Sequence, residues 1–167
     1  MSVWNFTGVN ASVHPTFAIS PSDAGRMYPV PAWFPEAKLN FAQNILESTN
    51  ALLHGPHRTA VTGVREGGLE TEHVSLSELR NKVGRLANAL IRSGVKPLDR
   101  VACIGSNSID TFVIFLAVVS IGAMFTCCSP ELGSQSILDR FVQTEPKVLF
   151  ADDWTVYNGK RTSCMGK

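Results

Sequence analysis

LDRVACIGSNSIDTFVIFLAVVSIGAMFTCCSPE, residues 98–131, decides the fold. Val101 to Ile104 is a short apolar run, and Gly105-Ser106-Asn107 interrupts it. Asn107 or Ser108 stands where a helix needs its N-cap, and Asp110 falls in the first turn, where the helix dipole favours negative charge. Between Ile109 and Ile121 the only non-apolar side chains are Asp110, Thr111 and Ser120. Gly122 supplies the helix stop, Ala123 to Cys128 reads as a second strand, and Ser129-Pro130 closes it.

A helix apolar on every side is buried on every side, and two accounts compete for it. A membrane span needs roughly 20 apolar residues, whereas runs of about 10–14 belong more often to a soluble core. This run is short and lies between two candidate strands. The spacing predicts a right-handed βαβ unit, two parallel strands joined by a crossover helix.

Working outward, Ala60–Val64 and Thr71–Ser75 are β-prone runs joined by Arg65-Glu66-Gly67-Gly68, a predicted hairpin. No Lys-Ser or Lys-Thr follows the glycines, so they make a turn and not a phosphate loop. Ser75-Leu76-Ser77-Glu78 has the form of a capping box. It opens a predicted amphipathic helix to about Ser93, with Leu79, Val83, Leu86, Ala87, Leu90 and Ile91 on one face and Gly94 as the left-handed stop. Downstream, Gln135–Val142 reads as a helix with Ile137, Leu138, Phe141 and Val142 apolar. Glu145-Pro146 ends it, and Val148–Ala151 is a third strand. A hairpin followed by αβαβαβ is the layout of an α/β fold, a partial parallel sheet with helices on both faces.

Upstream, Met1 to Pro31 is rich in Ser, Pro, Gly and scattered aromatics, and it reads as an irregular segment that orders where those aromatics find a pocket. Asn40 is placed as an N-cap, with Phe41, Ile45 and Leu46 on one face of a short helix. His54 and His57 have the i, i+3 spacing of a metal pair, but Gly55-Pro56 between them denies a helix and no further ligand is near, which favours a solvated loop.

Composition excludes several classes. The 167 residues are 44% hydrophobic and 17% charged, ordinary for a globular domain, and a net charge of +1 offers no attraction for nucleic acid or an anionic membrane. No basic patch precedes an apolar stretch at the N-terminus, so no secretory signal is read there. Cys103, Cys127, Cys128 and Cys164 fit free thiols of a reducing compartment, hence an expected cytoplasmic location. Cys127-Cys128 resembles a redox pair, yet neighbours on a strand point to opposite faces.

From the residues alone no catalytic constellation emerges: no Gly-x-Ser-x-Gly, no metal-ligand cluster, no GxGxxG after a strand. Gly105-Ser106-Asn107-Ser108 at a helix N-terminus could hold an anion by its N–H groups, although helix capping is the commoner use of such a turn.

The order of these pieces resembles the N-terminal part of the adenylate-forming acyl-CoA synthetases. Leu76-Ser77-Glu78-Leu79 matches that family's helix start, Leu98-Asp99-Arg100-Val101-Ala102 its Gly-Asp-Arg-Val-Ala strand, and Gly122-Ala123 its Gly-Ala pair. Within the family, Trp33 to Asn44 (WFPEAKLNFAQN) is similar to the Trp-Phe-Pro-Gly-Ala-x-Leu-Asn-Tyr-Ala-Glu-Asn signature of the acetoacetyl-CoA synthetases, with Glu36 in place of Gly. Cys128–Glu131, Leu138–Phe141, Glu145–Phe150 and Trp154–Lys160 agree with the same branch in order.

The resemblance implies activation of acetoacetate by ATP and Mg2+ to an acyl-adenylate, followed by transfer to CoA, with no nucleic-acid partner and no membrane span. It implies three regions: 1–46, an irregular segment with a short helix; 47–161, an incomplete adenylation domain; and 162–167, a divergent tail. The family's phosphate loop and catalytic lysine have no counterpart in the sequence, so the resemblance implies a fragment inactive by itself, with no catalytic residue and no metal ligand assigned here. The alternative is a non-catalytic short isoform acting as a binding module. By resemblance, a basic residue near Lys160 or Arg161 and the region Thr126–Glu131 lie close to the CoA nucleotide. A solvated Lys160-Arg161 pair is the competing reading, since surface charges are the norm.

Overall fold

The computed structural model describes residues 2–47, 55–68 and 70–164, and the chain divides after residue 54 into two units.

In the first unit a short helix, α1 (Ser2–Thr7), precedes extended chain, and α2 (Phe41–Leu46) closes the unit. No periodicity announced α1; it is too short to show any. Its Trp4 is buried and stacks on Phe34 at 4.7 Å between ring centroids, so one of the scattered aromatics does find a pocket. Phe6 and Tyr28 stay exposed. Asn40 caps α2 by accepting from the Gln43 N–H at 3.1 Å. The buried face of α2 is Ala42 and Leu46, whereas Phe41 and Ile45, expected inside, are exposed. Asn44 explains part of the signature around it. Its side-chain oxygen accepts from the Asn10 N–H at 2.7 Å while its amide donates to the Asn10 carbonyl at 2.8 Å and to the Asn40 carbonyl at 2.9 Å. One side chain thus satisfies both backbone groups of a residue that has no sheet partner.

The second unit begins with a hairpin, β1 (Thr59–Val64) and β2 (Thr71–Ser75), antiparallel as expected. Ser75 both ends β2 and caps α3 (Leu76–Arg92). Its hydroxyl accepts from the Glu78 N–H at 3.3 Å and the Glu78 carboxylate accepts from the Ser75 N–H at 2.8 Å, which completes the capping box. Leu76, Leu79, Val83 and Leu90 are buried, while Ile91, read as part of that face, is exposed. Gly94 follows with φ +82°, the left-handed stop.

Then come β3 (Arg100–Ile104), α4 (Ile109–Ser120), β4 (Met124–Cys128), α5 (Ser134–Thr144) and β5 (Val148–Ala151). β3 pairs in parallel with β4 (Cys103 opposite Cys127) and with β5 (Cys103 opposite Phe150), giving the order β4-β3-β5. The step from β3 to β4 and the step from β4 to β5 run in opposite directions. Right-handed crossovers therefore set α4 and α5 on opposite faces of the sheet. α4 packs along α3, and Ile109 reaches Gly63 of β1, where a Cβ would lie 3.0 Å from the Ile109 side chain.

A last hairpin, β6 (Trp154–Tyr157) and β7 (Lys160–Ser163), was not anticipated. Asn158 (φ 50°) and Gly159 (φ 70°) turn it, the Asn-Gly pair that suits two left-handed positions. β7 runs across the boundary drawn at 161, and residues 165–167 of the tail lie outside the described residues, as does His54 of the His54/His57 pair. Among the described residues no helix is long and apolar enough to cross a membrane.

Candidate functional site

In a parallel sheet the loops after the carboxyl ends of the strands form the ligand-binding edge, most of all where neighbouring connections leave for opposite faces. Here that edge consists of the turn after β3, the turn after β4, and Asp152-Asp153 after β5. The turn after β3 is tied down by its own chain. The Ser106 N–H and hydroxyl both donate to one Asp152 carboxylate oxygen, each at 2.7 Å. Ser108 caps α4 by accepting from the Thr111 N–H at 3.2 Å. The Gly105 N–H donates to the Cys128 carbonyl at 3.1 Å and the Asp152 N–H to the Ile104 carbonyl at 2.8 Å. Of the two readings of Gly105–Ser108, capping is the observed one, and the Asp152 carboxylate takes the Ser106 donors that an anion would need. Gly105 is required for space: a Cβ would stand 2.6 Å from the Thr111 Oγ1 and 2.8 Å from the Cys103 Sγ.

The cysteines at this edge are free. Burial, with the Cys127 thiol beside it as the next cause, pushes the Cys103 thiol up to about 12. A thiol so raised stays protonated near neutrality and is no nucleophile. Cys128 is buried and Cys127 half-buried, as the alternation of a strand requires.

The charged part of the site lies on the last hairpin. Lys160 pairs with Tyr157 and Arg161 with Val156 across β6–β7, and both basic side chains are exposed. Consecutive strand residues face opposite ways, so the ribbon separates Lys160 from Arg161 instead of joining them. Arg161 and Trp154 share a face, and the guanidinium carbon lies over the Trp154 ring 3.9 Å from its centroid. Arg65, in the β1–β2 turn, approaches the same ring at 5.2 Å. Sequence reasoning placed Arg65 in a turn and gave Trp154 no role. Only the packing of two distant hairpins brings them together. Elsewhere, Arg85, Asn88, Ala89, Arg92 and Ser93 line an open cavity of about 520 Å3 on the C-terminal half of α3. That stretch leads toward the amino end of β3, away from the ligand-binding edge.

This doubly wound βαβ core, preceded by a hairpin and a capped helix, is one that known proteins share. The profile described as "AMP-binding enzyme" matches residues 49–165, most of the chain, and the chain belongs to that family. Acetoacetyl-CoA synthetase of Macaca fascicularis is 37% identical over 164 residues, which cover 98% of this chain and 23% of that protein. Malonamoyl-CoA synthetase of Penicillium aethiopicum is 35% identical over 157 residues, 94% of this chain and 21% of that protein. The solved structure of acetoacetyl-CoA synthetase from Streptomyces lividans superposes with a TM-score of 0.87 at 34% identity, over 99% of this chain and 24% of that one. The chain thus spans between a fifth and a quarter of the length of these relatives.

Proposed function

We propose that these residues serve an acid–thiol ligase that joins acetoacetate to ATP, releasing pyrophosphate and forming an acyl-adenylate, and then passes the acyl group to the CoA thiol with release of AMP. The observation that carries this reading is agreement in fold and sequence, over 99% of the chain, with an acetoacetyl-CoA synthetase structure. Residues 47–161 are then part of the adenylation domain and residues 1–46 its N-terminal extension. The part assigned to this stretch is scaffold and CoA contact, with Lys160 and Arg161 facing the phosphates of CoA. Neither the phosphate loop nor the catalytic lysine is read in it. Mg2+ would accompany ATP. Among the described residues no three His, Cys, Asp or Glu side chains converge, so none is assigned to the metal. Four free cysteines suit a reducing compartment, and we place the protein in the cytoplasm.

The test is a graft and a control. This chain replaces its counterpart in the Streptomyces lividans enzyme, and acetoacetate-dependent ATP–pyrophosphate exchange is measured on the graft and on the 167 residues alone. The expected result is exchange by the graft and background from the short chain. A folded graft that exchanges with another short carboxylate but not with acetoacetate overturns the substrate. Exchange by the short chain overturns its assignment as scaffold.

A further inference from the structure

Two guanidinium groups from separate hairpins converge on Trp154, Arg161 at 3.9 Å and Arg65 at 5.2 Å from the ring centroid. Like charges gathered at one point repel, and the electron-rich indole face offsets that by about 0.5–1 kcal/mol per cation at an exposed site. Glu70 pairs with Arg65 at 3.2 Å, but that pair is largely solvated, with side chains 61% and 73% exposed, and such a pair is easily displaced. Among the described ion pairs Arg161 has no carboxylate. The indole also fixes the guanidinium planes, and a planar fork held in place is what recognition of phosphate oxygens requires.

We propose that Arg65 and Arg161, both held on Trp154, form one site for a phosphate monoester, with Trp154 as its positioning residue. The inference rests on the CoA reading above and deepens it. CoA carries such a monoester on its ribose, and dephospho-CoA is the same molecule without it. Arg65 supplies the second fork, and Lys160, on the other face of the ribbon, takes no part in this contact.

Calorimetric titration of the 167-residue chain with CoA and with dephospho-CoA tests the proposal. Arg65→Gln and Arg161→Gln are each expected to weaken CoA binding on the order of tenfold while moving dephospho-CoA by less than about twofold. Trp154→Leu is expected to lose as much although both arginines remain, and Trp154→Phe, which keeps an aromatic face, to recover most of it. Arg65 lies in an exposed turn, so its variant folds even where Trp154→Leu does not, and a thermal melt of each variant identifies the folded ones. If Arg161→Gln weakens CoA and Arg65→Gln does not, the two-arginine site is overturned and the CoA reading stands. Equal losses for CoA and dephospho-CoA overturn the monoester as the group recognised. A wild-type chain that binds neither compound overturns both readings.

Discussion

The two crossover helices of the sheet are held in opposite ways. α4 buries Ile109, Val113, Leu116, Ala117 and Val118, three of them completely. α5 buries Ile137 alone and leaves Leu138 at 54% and Val142 at 75% exposure, next to the edge strand β5 with Leu149 at 49%. Both sequences are rich in apolar residues, and only one is a core helix. α4 is apolar around its circumference because α3, the sheet and the hairpin cover it. α5 has an apolar stripe, and most of that stripe faces outward. Hydrophobic periodicity tells which side of a helix is apolar, not whether anything lies against it.

The sharpest way to break this contrast is by truncation. Leu116→Ala removes a side chain with no exposed surface and is expected to lower the unfolding free energy by about 2–5 kcal/mol. Val142→Ala, on α5, is expected to change it by less than about 0.5 kcal/mol. Urea unfolding measures both, and equal losses would mean that α5 is packed against something as α4 is.

Next in size is the tether at the head of α4. Asp152→Ala leaves the part-buried Ser106 N–H and hydroxyl without their shared acceptor and is expected to cost about 1–3 kcal/mol. Ser106→Ala removes only the hydroxyl and costs less. If Asp152→Ala proves neutral, the turn after β3 is held by the Gly105 and Ser108 contacts alone. A smaller effect is expected at the neighbour that covers α4: Ser75→Ala takes one arm from the capping box of α3 and costs about 1 kcal/mol by the same unfolding measurement.

What was legible beforehand follows the same division. The β3–α4–β4 unit, the first hairpin and the Ser75 capping box could be read from residues 60–131 because local rules and tertiary packing agree there. The second hairpin was missed although Asn158-Gly159 is a strong turn signal. Its strands are four residues each, and β7 is exposed throughout, so no alternation marks them. The exposure of Leu138, Val142, Phe41 and Ile45 was not legible, because an apolar stripe looks the same in sequence whether covered or bare. The candidate site was half legible. Resemblance drew attention to Lys160 and Arg161, but the turn residue Arg65 and the ring of Trp154 become partners only through packing that no local pattern encodes. The Asn44 clamp on Asn10 is hidden for the same reason.

What α5 lacks in burial is supplied by polar contacts where it hands the chain to β5. The Lys147 ammonium donates to the Gly94 carbonyl at 2.6 Å and to the Asp99 carboxylate at 2.8 Å, and the Arg100 side chain donates to the carbonyls of Thr144 and Glu145. The bond from Lys147, then the Lys96 N–H, holds the Asp99 carboxyl below its ordinary value of 3.8. A carboxylate whose folded pKa is depressed contributes stability at pH values above the ordinary one. That contribution is lost as pH falls from about 3.8 through the folded value, because the unfolded chain binds the proton first. Asp99→Asn is therefore expected to reduce stability slightly at neutral pH and to flatten the dependence on pH below about 4. Amide exchange measured through that window should show α5 and β5 opening before α4, whose protection comes from burial, an effect that does not titrate. Simultaneous opening of both helices would show that the Lys147–Asp99 contact is incidental and that the sheet melts as one body.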